Sequence, residues 1–245
     1  MADCCVIIPC YNESGRILKE EFVTFASANP WCHFLFVNDG STDDTLDSLN
    51  QLGQLQPRMT VLSLPQNRGK AEAVRVGMLA ALNDARFHYF AYLDADLAIP
   101  LEEFKRIFDL TLQQPNLEFT YLAKIPRKDA EVSQPMKRFL MGRSLALLTR
   151  MSLRLPIYDT QCGCKVMIRK VAHLVFEAPF ISPWLFDIEL FHRLLRSCGR
   201  GYFAAHTLQV PLDKLEDRGS SRVKGRDIFK LPFEFWTIHR TYRRP

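Results

Sequence analysis

The 245-residue sequence predicts a single doubly wound α/β fold, a mainly parallel sheet flanked by helices, on three observations. Short apolar runs alternate five times with helix-period segments, the order of a sheet built with right-handed crossovers. The runs place apolar and aromatic residues at successive positions, as strands covered on both faces do. Two of them end in acidic residues where strand gives way to turn, and ligand sites in open α/β sheets lie beyond those carboxyl ends.

Cys4 to Cys10 (CCVIIPC) reads as the first strand, and YNESGR leads into a helix from about Ile17 to Ala28. His33 to Asn38 is the second strand; Asp39-Gly40 turns the chain, and Ser41 with Asp44 forms a capping box for a helix through about Leu52. Thr60 to Leu64 is a third strand. Asn67-Arg68-Gly69-Lys70 then opens a helix with Ala73, Val74, Gly77, Met78 and Ala81 on one side. The fourth strand lies in HYFAYLDADLAIP (His88 to Pro100), an apolar run closed by Asp94 and Asp96. Pro100 starts a helix carrying Phe104, Ile107, Phe108 and Leu112, and Glu118 to Ala123 is a further strand.

Beyond this point the pattern changes. Lys124 to Pro135 reads as a polar loop, and Met136 to Leu155 as a long helix with Arg143, Arg150 and Arg154 on one face, which suits either solvent or anionic headgroups. YDTQCGCK (Tyr158 to Lys165) and SPWLFDIEL (Ser182 to Leu190) follow, the second setting Asp187 and Glu189 among apolar neighbours. Phe203 to Val210 reads as the last strand. The tail mixes lysines and arginines with Phe229, Phe233, Phe235 and Trp236. Residues 1–225 are read as the catalytic domain and 226–245 as a basic, aromatic helix or tail.

Composition bounds the function. With 47% hydrophobic and 24% charged residues the chain is globular, and no run approaches a membrane span. Seven cysteines, an odd number, suit a reducing compartment, and the lone CxC of Cys162 and Cys164 is a poor zinc site. The expected location is cytoplasmic. A net charge of +5 is too mild to imply nucleic acid.

Asp94 and Asp96 are two hard oxygen donors at a strand end. They suit Mg2+ or Mn2+ shared with a substrate diphosphate, or else form a solvated turn. Asp39, after the second strand, opens onto the same sheet edge and can accept hydrogen bonds from a base or ribose. Neither GxxxxGKS/T nor GxGxxG occurs, so a P-loop or dinucleotide fold is not favoured.

VIIPCYNE, VNDGSTDDT, NRGKAEAVRVG, LDADL, DTQCGCK and FDIEL, in that order over about residues 5 to 225, resemble the inverting family 2 glycosyltransferases of the GT-A fold. The nearest branch is that of the dolichyl- or polyprenyl-phosphate sugar transferases. The resemblance implies that Pro9, Tyr11, Glu13, Asp39 and Lys70 serve the nucleotide sugar, and that Asp94 and Asp96 hold metal and diphosphate. It further implies that Gln161, Lys165 and Asp187 lie on the acceptor side of the sugar. Arg138, Arg143 and Arg222 are candidates for the acceptor phosphate, to which arginine's fork is suited. Two departures stand out: CGFK is here CGCK, at Cys164, and no membrane-spanning run follows the motifs.

The implied reaction moves a hexose, with inversion, from a UDP- or GDP-hexose to a polyprenyl phosphate, with the basic aromatic tail as a peripheral membrane contact. Were the acceptor a saccharide hydroxyl of a cell-surface polysaccharide, Asp187 or Glu189 would have to act as base. A non-catalytic nucleotide-sugar sensor would not need both acids of DAD. A nucleotidyltransferase should carry a Gly-rich phosphate loop where this chain has PCYNES.

Overall fold

In a computed structural model, residues 3–125, 131–132, 136–216 and 230–243 are described. The strands are β1 (Asp3–Cys10), β2 (Cys32–Asp39), β3 (Met59–Leu64), β4 (Phe87–Tyr92), β5 (Phe119–Ala123), β6 (Glu131–Val132), β7 (Lys165–Ile168), β8 (Thr207–Pro211) and β9 (Lys214–Leu215). The helices are α1 (Lys19–Ala28), α2 (Thr45–Leu55), α3 (Lys70–Leu82), α4 (Leu101–Gln113), α5 (Met136–Leu153), α6 (Arg169–Phe176), α7 (Phe186–His206) and α8 (Leu231–Arg243). Gly199, at φ 80°, breaks α7 into two segments.

Seven strands form the main sheet in the order β3-β2-β1-β4-β7-β5-β8. Strand alternation sorts its side chains into two cores. Val6, Ile8, Phe34, Phe36 and Leu93 meet Phe22 of α1, Leu49 of α2 and Phe104 and Phe108 of α4. Ile7, Val37, Phe90 and Tyr92 meet Val74 and Met78 of α3, Val175 of α6 and Phe186 and Leu190 of α7. Helices thus cover both faces, which is why the strands read as continuous apolar runs. On the first face Trp31 stacks on Phe108 at 4.2 Å.

Strand order reverses between β1 and β4, which are paired in parallel, so the crevice beyond their carboxyl ends is the topological switch point. No helix among the described residues is long and apolar enough to cross a membrane.

Several expectations are corrected. β7, unread in the sequence, lies antiparallel between β4 and β5. The last strand starts at Thr207, because residues 203–206 continue α7. The polar loop from Lys124 contains β6, paired with β9. Ser41 does not cap α2: its hydroxyl accepts the Asn12 N–H at 3.1 Å, while Asp43 accepts the N–H of Thr45. Arg154 lies past the end of α5, at φ 53°, so the proposed arginine face ends at Arg150. Arg222 and the side chain of Arg138 lie outside the described residues.

Candidate active site

The loops after β1 and β2 are stitched together. The Glu13 N–H donates to Thr45 Oγ1 at 2.7 Å, the Thr42 N–H to Asn12 Oδ1 at 2.8 Å, and the Ser14 hydroxyl to Asp43 at 2.9 Å. Asn12 itself takes φ 50°, a conformation that Asn tolerates better than most residues. Pro9 and Tyr11, half-buried, sit at the end of β1 beside this junction.

Asp39 is 2% exposed at the end of β2. Its Oδ1 accepts the Arg68 N–H at 2.7 Å and its Oδ2 the Gly69 N–H at 2.9 Å, so it fixes the entry to α3. Burial raises its pKa, and these two backbone donors hold the rise in check. The adjoining Gly40 has φ +61°, and a Cβ there would lie 2.3 Å from the Gln66 backbone; only glycine permits the turn.

At the β4 end, Leu93 is still tied to β1 by its N–H to the Ile7 carbonyl, and the chain then opens into the DAD turn. Asp94 Oδ1 lies 2.5 Å from Lys70 Nζ at the start of α3. Burial alone would lower the Lys70 pKa, but Asp94, with Asp187 and Asp96 nearby, raises it, so the side chain is a firm cation. Asp96 Oδ2 lies 3.3 Å from Arg16 Nη2, whose Nε faces Glu13 at 3.7 Å, and Asp96 Oδ1 accepts the Ala98 N–H. Leu97 is forced to φ 47° in this turn.

The DTQCGCK segment closes the site from the other side. Asp159 accepts the N–H groups of Gln161 and Lys124 at 2.7 and 3.2 Å. The side-chain amide nitrogen of Gln161 is buried and has no hydrogen-bond partner among the described residues. Gly163 comes so close to Asp94 that a Cβ would lie 2.6 Å from Asp94 Oδ2. Cys164 points into the core with Val166 and Ala91, so the cysteine of CGCK packs there.

Lys165 is fully buried. Its ammonium donates to Asp187 Oδ1 at 2.5 Å and to the Cys162 carbonyl at 2.9 Å. Asp187, 3% exposed in the first turn of α7, also accepts the Tyr92 hydroxyl at Oδ1. Burial, with Asp187 beside it, pushes the Tyr92 pKa well up, so the phenol remains a donor. Glu189 belongs to a different network: Arg193 and Tyr242 each donate to Oε1 at 2.8 Å and the Ile181 N–H to Oε2. It ties α8 to α7 and is taken up by structure, which removes it as a candidate base.

The site thus gathers Glu13, Asp39, Lys70, Asp94, Asp96, Lys165 and Asp187 around the switch point. Arg143 stacks its guanidinium 4.5 Å over the ring of Tyr158, which leads into the DTQCGCK segment. Arg16, Tyr92 and Gly163 were missed. Arg16 and Gly163 stood inside quoted motifs, whereas Tyr92 is indistinguishable in sequence from a core aromatic.

Asp94 and Asp96 are not grouped with a third His, Cys, Asp or Glu among the described residues. Two carboxylates that each attract a cationic side chain, with glycine clearing space at one, nevertheless fit a hard divalent ion completed by phosphate oxygens.

A switch-point crevice lined by paired strand-end acids and cations defines a nucleotide-sugar enzyme of GT-A architecture. The pattern of Glycosyl transferase family 2 matches residues 5–176, and the chain belongs to that family. It is 32% identical to dolichyl-phosphate beta-glucosyltransferase ALG5C of Trichomonas vaginalis, over 95% of this chain and 69% of the relative. The dolichyl-phosphate beta-glucosyltransferase of Drosophila melanogaster is 30% identical over 94% of this chain and 70% of its own length. Among solved structures, glucosyl-3-phosphoglycerate synthase from Mycobacterium tuberculosis, in complex with Mn2+, UDP-glucose and phosphoglyceric acid, superposes with a TM-score of 0.72. It is 18% identical and the match covers 97% of this chain and 80% of that one, a likeness of fold.

Proposed function

We propose that the enzyme transfers glucose, with inversion, from UDP-glucose to a polyprenyl phosphate of the dolichyl type. One observation carries the choice of acceptor: Asp187 is engaged at one oxygen by both the Lys165 ammonium and the Tyr92 hydroxyl. The carboxylate is thus committed to holding two protein donors, whereas a sugar hydroxyl would need a base free to receive its proton. A phosphate needs none, because with a second pKa of about 6 it is already anionic at neutral pH. The names of the curated relatives agree with this acceptor, and they and the solved neighbour favour glucose. The base is read as uracil, with GDP as the competing donor nucleotide.

In this reading Glu13 and Asp39, with Pro9 and Tyr11, shape the nucleoside pocket, and Lys70 faces the diphosphate. Asp94 and Asp96 hold Mg2+ or Mn2+, and the ion would offset charge developing on the departing nucleoside diphosphate. The unpartnered amide of Gln161 is a donor waiting for an oxygen, which a sugar hydroxyl or acceptor phosphate supplies. Lys165 and Tyr92 hold Asp187 in place on the acceptor side. Arg138, Arg143 and Arg222 grip the acceptor phosphate. Such an acceptor places the site at a membrane surface, which we read as the cytoplasmic face.

The test is to offer the purified protein UDP-glucose and GDP-mannose, each with Mn2+ and a polyprenyl phosphate, and to assign the anomeric configuration of any glycolipid by NMR. Formation of β-glucosyl lipid phosphate from UDP-glucose is the expected result. Transfer to a saccharide hydroxyl, with no lipid product from either donor, would overturn the reading.

A further inference from the structure

α5 and α8 are neighbours that turn no acid outward. α5 contains no Asp or Glu, and the single acid of α8, Glu234, accepts the hydroxyl of the buried Ser182. Ser152 of α5 lies 2.7 Å from His239 Nδ1 of α8, and Leu145 packs with Ile238 and Phe235.

Their outer faces gather what a water-facing surface rarely does. Leu147, Leu148 and Met151 on α5 are 60%, 48% and 66% exposed, and Phe233 and Trp236 on α8 are 70% and 52% exposed. These five are most of the seven large exposed hydrophobics among the described residues, so they form a concentration rather than a scatter. Arg143, Arg150, Arg240 and Arg243 are exposed on the same two helices. The Arg240 guanidinium sits 5.2 Å over the Trp236 ring, an aromatic body joined to a cationic tip.

Apolar and aromatic side chains interspersed with arginine, without an outward acid, complement a surface with an apolar interior and anionic headgroups. Self-pairing would set arginines against arginines, and an uncharged apolar partner would leave them unmatched. We propose that the α5/α8 face docks on an anionic lipid bilayer, Phe233 and Trp236 entering the headgroup layer and the arginines meeting its phosphates. The inference deepens the lipid-acceptor reading. The stack of Arg143 on Tyr158 joins α5 to the segment bearing Gln161 and Lys165, so docking there brings the acceptor side of the site to the membrane.

The experiment sediments the full chain with phosphatidylcholine vesicles, with and without phosphatidylserine, at low and high salt. It is repeated on a Leu147→Ser/Met151→Ser/Phe233→Ser/Trp236→Ser variant, and on Phe233→Ser/Trp236→Ser alone should the fourfold change unfold the protein. Thermal unfolding and turnover with a water-soluble short-chain isoprenyl phosphate are measured in parallel. Salt-sensitive binding to phosphatidylserine vesicles, roughly tenfold weaker in the variants while unfolding and soluble-acceptor turnover hold, is the expected result. Indifference of the intact protein to anionic vesicles, undiminished binding by a folded variant, or a dimer that the same substitutions dissolve would overturn it. Vesicle binding that follows this pattern, with no transfer to any phosphate acceptor, would support the surface and sink the acceptor assignment instead.

Discussion

Tyr92 and Asp187 are joined between strand and helix: the phenol at the end of β4 donates to the carboxylate in the first turn of α7. The strand that carries Asp94 and Asp96, the proposed metal ligands, therefore also positions the acid proposed for the acceptor side. Tyr92→Phe removes the donor and keeps the ring that packs on Phe176 and Phe186. Turnover should fall roughly tenfold, a change of about 1.4 kcal/mol. Donor affinity, measured by calorimetry, should stay unchanged. A loss confined to donor affinity would count against the positioning role.

The Lys165–Asp187 pair can be tested by stability alone. Both groups are almost wholly buried, so Lys165→Met leaves a carboxylate without its ammonium and should cost about 3 to 5 kcal/mol in urea unfolding. Lys165→Met with Asp187→Leu should cost clearly less than the sum of the single changes. Additive losses would mean that the pair does not interact as described.

For the metal, Gly163→Ala is more telling than removing an acid. The added methyl would press on Asp94 Oδ2 from 2.6 Å and displace the carboxylate without changing the charge of the site. Mn2+-dependent binding of UDP should weaken about as much as in Asp94→Asn. Neither change should alter thermal stability much, since a partly solvated pair such as Asp94–Lys70 is worth only about 1 kcal/mol. Parent-like Mn2+-dependent affinity in Gly163→Ala would argue that Asp94 does not hold the ion.

Asp39 joins the architecture at the α3 entry to the proposed nucleoside pocket. Asp39→Asn replaces one acceptor by an amide NH2 that would face the Gly69 or Arg68 N–H, donor against donor. The loop into α3 should loosen at a cost of about 1 to 3 kcal/mol. UMP affinity should drop without metal present. Unchanged UMP binding alongside lost stability would assign Asp39 to the loop alone.

The first half of the fold was legible because β1 and β2 are buried on both faces and each strand there is followed by a helix, so period and punctuation agree. β7 was not: KVMI is four residues long, and its antiparallel insertion depends on a return from α5 that no local pattern records. The acids of DAD and FDIEL stood out as candidates because charge beside apolar runs is costly. Their division of labour did not, since Glu189 is claimed by Arg193 and Tyr242 only after α8 folds back on α7. Ser41 failed as a cap for a similar reason: its partner Asn12 is 29 residues away.

His192 supplies a pH dependence remote from the chemistry. Its Nε2 lies 3.0 Å from Ser152 Oγ, which His239 also approaches, and its ring stacks on Tyr242. Burial, with His239 close by, lowers its pKa to about 4. In the unfolded chain the value returns to about 6.5, so between these limits the unfolded state holds the extra proton. Stability is therefore intact above about pH 6.5 and declines as the pH falls towards 4, by roughly 3 kcal/mol at the lower limit. Carboxylates also lose stability in acid, so the measurement is a difference: urea unfolding of parent and His192→Gln at pH 7 and pH 4.5. The parent should lose about 2 kcal/mol more than the variant across that interval, because glutamine has no proton to take up. Equal losses would show that His192 titrates alike in both states and that the α5/α7/α8 junction does not hold it neutral.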